Sequence, residues 1–438
     1  MSKQFNRALV IILFSGLVLL VVGLAVRLVR SLSTSTTTNS LSETMLAPTS
    51  SKKSKVKLVF SQWWQNELEV NTLQTLIADF EKGYPNISIS LDTHSYTEIE
   101  GLTLTATPLS VDIIGIDPRW FYELVRYNQL ESLTSYREAQ AQGETSLFSI
   151  TDTDHQYGDW GVQLVSFMAP LFYNINVLQK AGFDRPPKTW SEIFSYAKAI
   201  SRPAENRFGL AFALSPDYPQ GITLDIYSWI WASGGTVLRN GRPNFTDGTV
   251  VDSLSFLKSL LENKLLSPDS FSKTRQQKLD EFASGRIGLM ISPAQDIEVL
   301  RQRIGEAGFG VTTLPVSDTY MGKSMIGLSH WYACISSYSQ HKSEAWAFLS
   351  FLSSRAKTLA DAAHAVPGAG VYPRDDALYA KAYDIYENAE VTSELIGLPR
   401  THTLETIVWE EVKNMFEGYQ DASTTAQMLQ TRWESMGL

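Results

Sequence analysis

The chain has 438 residues, 44% of them hydrophobic and 19% charged, which suits a folded protein and is long enough for two domain-sized cores. Its single cysteine, Cys334, excludes an internal disulfide framework and a Cys-based zinc site. The net charge is −9, and the first 57 residues carry eight Lys and Arg against Glu43 alone, so the remainder is more acidic still and a poor match for nucleic acid.

From Ala8 to Val26 the sequence is apolar apart from Ser15, Gly16 and Gly23. At about 1.5 Å per residue this approaches the thickness of a bilayer's hydrocarbon core. Lys3 and Arg7 precede the segment and Arg27 and Arg30 follow it, so the flanking charges weigh little on its orientation. Gly23-Leu24-Ala25 offers a signal-peptidase site, but Arg27 and Arg30 sit awkwardly just beyond it, which favours an uncleaved anchor. No cysteine lies nearby for lipid attachment. Residues 1–30 are read as membrane anchor or signal segment, and residues 31–55, rich in Ser and Thr, as a flexible tether.

Beyond the tether, Val56 to Phe60 is a short apolar run of strand type, and Leu73, Leu76, Ile77 and Phe80 recur at helical spacing before Gly83 and Pro85. Ile87, Ile89 and Leu91 alternate as in a strand, and Val111 to Ile116 forms another buried run ending in Asp117-Pro118. That rhythm predicts an α/β domain on a largely parallel sheet. A second such unit follows Ser166. Leu171 to Asn174 reads as a strand, Thr189-Trp190-Ser191-Glu192 as a capping box, and Val250, Leu254, Leu257 and Leu261 as one helix face. Leu279 to Ala283 belongs to a further helix that Gly285 closes before the strand Ile287 to Ile291. Helices follow, with Ala345, Phe348, Leu349 and Leu352 on one face and Ile407, Val408, Val412 and Phe416 on another.

Several phrases, taken in order, resemble the family-one extracellular solute-binding proteins of ABC importers, the maltose-binding-protein-like group. They are Ser61-Gln62-Trp63-Trp64, Tyr84-Pro85-Asn86-Ile87, Val111 to Ile114, and Leu171-Phe172-Tyr173-Asn174 followed by Ala181-Gly182-Phe183 and Pro186 to Trp190. Trp231 to Gly235, Gly285 to Met290 and Leu314-Pro315 continue the series, and Gly418 with Thr424 to Ala426 resembles the closing helix. The chain departs from the pattern at Ser292 to Gln295 and at Thr103 to Ser110, which bears on the ligand rather than the fold. The resemblance implies a two-lobed periplasmic-binding-protein fold of α/β class with interlobe crossings, here preceded by the N-terminal transmembrane helix. It divides the chain into one lobe of residues 56–165 plus 330–385 and another of 166–329 plus 386–438. The crossings are expected near Ser166 to Ala169, Gly327 to Ser329 and Tyr386 to Glu394.

A sugar presents hydroxyls on its rim and a C–H-rich face, so its receptor needs aromatic platforms and bidentate polar groups. Candidates lie just after strands, where ligands of open α/β sheets collect. They are Trp63, Trp64, Gln65, Asp117, Arg119, Trp120, Phe167, Tyr227, Trp229, Gln295 and Trp331. Each has a structural reading beside the functional one. Adjacent Trp63 and Trp64 cannot share a face of a strand, Arg119 could simply pair with Asp117, and Trp231 reads as core, leaving Trp229 or Tyr227 for the cleft. Few basic residues, Arg119 and Arg374 among them, fall near the expected cleft, which points to a neutral ligand.

Asp152, Asp154 and Gln156 imitate the start of a calcium loop, but Tyr157 stands where the tight turn needs glycine, so no metal or cofactor is expected. Motifs for Ser nucleophiles, zinc proteases, phosphate loops and dinucleotides are absent from the sequence. The expected role is a monomeric, non-catalytic receptor outside the cytoplasm that passes a carbohydrate to ABC permease subunits. A carbohydrate-acting hydrolase, whose carboxylate pair has no local motif, and a receptor serving a sensor remain the alternatives.

Overall fold

The computed structural model describes residues 55–141, 159–218, 220–327, 329–367, 376–392 and 394–438. The Ala8 to Val26 segment, the tether, the Asp152 to Tyr157 stretch and Arg374 lie outside the described residues. Among the described residues no helix is long and apolar enough to cross a membrane.

The chain enters through strand β1 (Val56–Gln62), which buries Leu58 and Phe60. Helix α1 (Thr72–Gly83) follows and turns Leu73, Leu76 and Phe80 inward. Strand β2 (Ile87–Thr93) pairs parallel with β1, Val56 facing Ile87. Helix α2 (Tyr96–Thr103) starts on a reciprocal cap, in which Ser95 Oγ accepts the Glu98 N–H and Glu98 accepts the Ser95 N–H at 2.7 Å. Strand β3 (Ile113–Ile116), wholly buried, lies parallel to β1, and helix α3 (Phe121–Arg126) leads away toward strand β4 (Val162–Phe167).

Strand β5 (Leu171–Asn174), three residues beyond β4, belongs to a different sheet. The elements that follow are helix α4 (Trp190–Ile200), strand β6 (Phe208–Leu210), helices α5 (Ser228–Ala232), α6 (Gly248–Glu262) and α7 (Arg275–Ala283), and strands β7 (Ile287–Ile291) and β8 (Phe309–Thr312). The α4 cap differs in one respect from the box expected: Thr189 accepts the Glu192 N–H, while the Glu192 carboxylate takes the N–H of Lys188 and the guanidinium of Arg185. Strand β9 (Ser329–Ile335) then returns to the first sheet, followed by helix α8 (Lys342–Ser354) and strand β10 (Val366–Pro367). Helices α9 (Ala377–Asn388), α10 (Thr401–Phe416) and α11 (Ala422–Ser435) complete the chain.

The two larger sheets have the orders β10-β4-β9-β3-β1-β2 and β8-β5-β7-β6, and two further two-stranded sheets join Met325–Gly327 to Glu390–Thr392 and Leu238–Arg239 to Arg242–Pro243. Both larger sheets are mixed rather than largely parallel. β9 meets β3 and β4 antiparallel because it arrives from the other lobe, and β5, the first strand after a crossing, runs against β7 and β8. The fold is therefore two α/β lobes, each with its own core. The first is built on Phe60, Ile114, Leu164 and Phe348, and the second on both faces of its sheet, with Leu289, Leu254 and Val408 on one side and Phe172, Phe282 and Met290 on the other.

Helix α9 packs its buried face of Tyr379, Ala382 and Ile385 against Phe172 and Met290 of the second lobe. Periodicity alone could not show this, because an amphipathic helix buries the same stripe against either sheet.

Inside the second lobe one ion pair is sealed from water. Lys278 Nζ lies 2.8 and 3.0 Å from the two carboxylate oxygens of Asp225 and donates to the Ile291 carbonyl, and both side chains are fully buried. Asp225 also accepts the Ala213 N–H at 2.7 Å, so the pair meets the hydrogen-bonding condition that makes a buried charge tolerable.

Candidate functional site

At the end of β1 the Gln62 side chain accepts the N–H of Gln65 at 2.8 Å and bends the chain into a short 3-10 turn. The turn sends the two adjacent tryptophans apart. Trp64 drops beneath the sheet end, stacked on Trp331 at 5.1 Å and wholly buried. Its ring runs so close over Gly115 that a Cβ there would stand 2.9 Å from it. Trp63 instead joins an aromatic cluster, edge-on to Tyr96 at 5.3 Å, Trp120 at 5.4 Å and Trp331 at 6.4 Å. Gln65 stays half-buried and accepts from Thr93 Oγ1 at 2.9 Å.

At the end of β3, Asp117 caps the turn Pro118–Trp120 by accepting the Arg119 N–H at 3.0 Å. The same carboxylate takes Arg119 Nε and Nη2, each at 3.0 Å, and the Tyr96 hydroxyl at 3.1 Å. Arg119 Nη2 also donates to Tyr96, and Nη1 reaches Glu405 on α10 at 3.2 Å to both oxygens. Burial opposes the guanidinium's charge, but Asp117, Tyr96 and Glu405 outweigh it and hold its pKa above the ordinary value. Burial raises the Glu405 carboxyl, only partly offset by Arg119. Because α10 packs in the second lobe, this network joins the lobes, reinforced by the Gly397 N–H donating to the Pro118 carbonyl at 3.1 Å.

Beside the network opens a recess of ≈ 250 Å³, bounded by Glu100, Arg119 and Trp120 of the first lobe and by Arg400, His402 and Glu405 of the second. That is near the lower end of small-molecule sites. Trp120 Nε1 points at Glu100 there, at 3.4 Å. On another side of Trp63, Glu67 keeps part of its surface open to solvent but has its carboxylate crowded by protein, where it accepts from the Trp63 ring and sits within range of both Asp117 and Arg275 of α7. Desolvation by this crowding, opposed by Arg275, raises its carboxyl to about 7. Arg275 is itself gripped by Asp296, which is fully buried.

In the second lobe, Tyr227 has a fully buried hydroxyl with no hydrogen-bond partner among the described residues, its pKa pushed up by burial and then by the charges of Glu405 and Glu394. Trp231, read as core, is packed against Tyr227 at 5.5 Å, and its indole N–H donates to Glu394. Its ring passes over Gly327 at the second crossing, where a Cβ would stand 2.1 Å away.

The structure gathers Trp63, Asp117, Arg119 and Trp120 at the ends of β1 and β3, whereas Tyr227 lies wholly buried in the core of the second lobe against Trp231. Trp64 and Trp229, like Tyr227, are wholly buried core residues. Trp229 on α5 packs against Phe256 of α6 at 5.6 Å, because two residues of helix rotate it by roughly 200° away from Tyr227. Trp331 backs the aromatic cluster from beneath, edge-on to Phe167 at 4.9 Å. Phe167 and Gln295 meet instead at the first crossing, beside a cavity of ≈ 10 Å³, about the space of one water. His330 is structural, its Nδ1 3.0 Å from Ser166 Oγ.

Sequence reasoning missed Glu67, Tyr96, Arg275, Glu394 and Glu405. One signal was available for Glu405, a carboxylate on the apolar stripe of Leu404, Val408 and Val412. Among the described residues no group of His, Cys, Asp and Glu could hold a metal ion.

The fold is that of several solved structures. Maltose-bound MalE3 of T. maritima superposes with a TM-score of 0.71 at 19% identity, covering 87% of this chain and 100% of that one. The GacH receptor of Streptomyces glaucescens, solved unliganded and with acarbose, gives 0.69 at 18% identity over 87% and 98%. An ABC transporter solute-binding protein of Agrobacterium radiobacter K84 in complex with ribitol gives 0.69 at 18% over 88% and 99%. Among curated sequences, a binding protein of Brucella abortus (strain 2308) is 22% identical over 282 residues, spanning 62% of this chain and 66% of its own length. The sequence pattern of the bacterial extracellular solute-binding proteins matches residues 65–358, and the chain belongs to that family.

Proposed function

We propose that this chain captures a carbohydrate between its lobes, outside the cytoplasm, and delivers it unchanged to the permease of an ABC importer. The observation that carries this reading is the aromatic cluster of Trp63, Tyr96 and Trp120 set against a polar clamp, Asp117, Arg119 and Glu405, drawn from both lobes. Such a pairing suits the C–H face and the hydroxyl rim of a sugar. The neighbours bound to maltose, acarbose and ribitol agree with it. In this reading the site comprises Trp63, Asp117, Arg119 and Trp120, joined by Tyr96 and Glu405.

The same proposal has the Ala8 to Val26 segment anchoring a monomer to the membrane. It divides the chain into a first lobe of 56–165 plus 330–367 and a second of 166–327 plus 376–438. A ligand touching both lobes favours their closed arrangement by the difference between its affinities for closed and open forms. Thermal shift against mono- and oligosaccharides tests capture, since ligand at 100 times its dissociation constant adds about 2.7 kcal/mol of stability. Chromatography of the bound sugar before and after incubation tests the absence of catalysis, and turnover would make a hydrolase the better reading. No stabilisation by any sugar would overturn carbohydrate capture.

A further inference from the structure

The segment that follows Glu394 touches both lobes, and it does so through one tight turn. Leu395 to Leu398 closes with the Leu398 N–H donating to the Leu395 carbonyl at 3.4 Å, and Gly397 at the third position has φ 62°, a backbone that favours glycine. At the base of the turn Leu395 and Leu398 are buried in the core of the second lobe. Glu394 fastens that base by accepting from the Trp231 indole, from the Val237 N–H at 3.1 Å and from the Leu238 N–H at 2.9 Å.

The tip of the turn faces the other way. Ile396, half-buried, packs against the core of the first lobe, and the Gly397 N–H donates to the Pro118 carbonyl at 3.1 Å. Pro118 stands between Asp117 and Arg119, and Arg119 in turn reaches Glu405 of the second lobe. The turn thus seats on the same first-lobe loop that carries the polar clamp, through an apolar contact and a backbone hydrogen bond that need no ligand. A tip already fixed at its base by two buried leucines and a carboxylate loses little conformational freedom on seating, so little ordering entropy opposes these contacts.

We infer that Ile396 and Gly397 are positioning residues, forming a strap from the second lobe that holds the two lobes together over Asp117 and Arg119 before any sugar arrives. Its part in capture rests on the carbohydrate-receptor reading: the larger the fraction of molecules already engaged across the cleft, the less the apparent affinity for sugar is reduced. The contact itself does not depend on that reading.

Spin labels on Arg126→Cys and Thr403→Cys read the contact without ligand. These two exposed residues line opposite sides of the interlobe recess, one from each lobe, whereas the native Cys334 is wholly buried and stays unlabelled. The ligand-free full chain is expected to give a single short distance between the labels. Ile396→Asp should shift that distance to longer values, and Ile396→Val, which keeps the apolar contact, should not. Hydrogen exchange of the unlabelled parent is a second reading that needs no variant, and the Gly397 amide is expected to be protected in the absence of sugar. A distance in Ile396→Asp equal to the parent's, or a Gly397 amide exchanging at the rate of an unfolded chain, overturns the inference. Neither result touches the receptor reading, which the sugar screen decides separately.

Discussion

Arg119 Nη1 stands 3.2 Å from both carboxylate oxygens of Glu405, 286 residues further along the chain, and the two side chains are only 13% and 11% exposed. One partner follows the third strand of the first lobe and the other begins the penultimate helix of the second, so the pair acts as a bridge across the cleft. Arg119→Met is expected to leave Asp117 and Glu405 facing each other without a cation, at a cost of about 3 to 5 kcal/mol. Chemical denaturation should show the lowered midpoint, and small-angle scattering of the ligand-free variant a larger radius of gyration than the parent. A variant with the parent's midpoint and scattering curve would remove the bridge from this account.

The two tryptophans Trp63 and Trp229 are expected to differ in their effect on binding. Trp229, wholly buried against Phe256, should lose about 3 to 5 kcal/mol of folding stability on truncation to Ala, with the affinity of the folded protein for sugar unchanged. Trp63→Ala removes a buried ring from the first lobe's aromatic cluster and, besides its own cost in stability, should weaken sugar binding by about tenfold, from the loss of roughly 1 to 2 kcal/mol of apolar contact. Titration and ligand-free melting of both variants check this, and reversed assignments would return Trp229 to the site.

Replacing Lys278 by Met strands the Asp225 carboxylate in the interior and is expected to cost about 3 to 5 kcal/mol. Adding Asp225→Asn removes the stranded charge while keeping an acceptor for the Ala213 N–H, so the double variant should regain a large part of the loss. Differential scanning calorimetry of the single and double variants measures the difference, and strict additivity would mean that the pair is not coupled.

Glu67 supplies a pH signature. Its carboxyl lies at about 7 in the folded chain against an ordinary 4.5, so between these values the folded state holds a proton that the unfolded state has released. Stability from this group is therefore highest at the acid end and falls as pH rises from about 4.5 to 7, then levels. Glu67→Gln lacks this dependence. The melting temperature of the parent minus that of the variant is expected to drop between pH 5 and 7.5, and a flat difference would show that Glu67 titrates normally.

Much of the architecture was legible in the chain because it is encoded locally. The stripe of Leu73, Leu76 and Phe80, the cap at Thr189 and the breaker Gly285 each act within a turn or two, and all appear where the pattern put them. The ordered phrases from Ser61 onward pointed to the family that the later comparison established. Sheet direction and the lobe that receives helix α9 were not legible, since a strand or an amphipathic helix reads the same whichever lobe receives it.

The site divides along the same line. By itself the sequence determined that aromatic and acidic residues follow the strands β1 and β3, because the α/β pattern locates strand ends. Which aromatic rings face the cleft was decided only by the tertiary structure: Trp63 and Trp64 diverge through a turn set by the Gln62 side chain, and Trp229 and Tyr227 are parted by the helix they share. Burial in a core and contact with a ligand call for the same side chains, so residue type cannot separate them. The bridge to Glu405 lay still further beyond the sequence, since a charge pair 286 positions apart leaves no local trace and exists only once the two lobes meet.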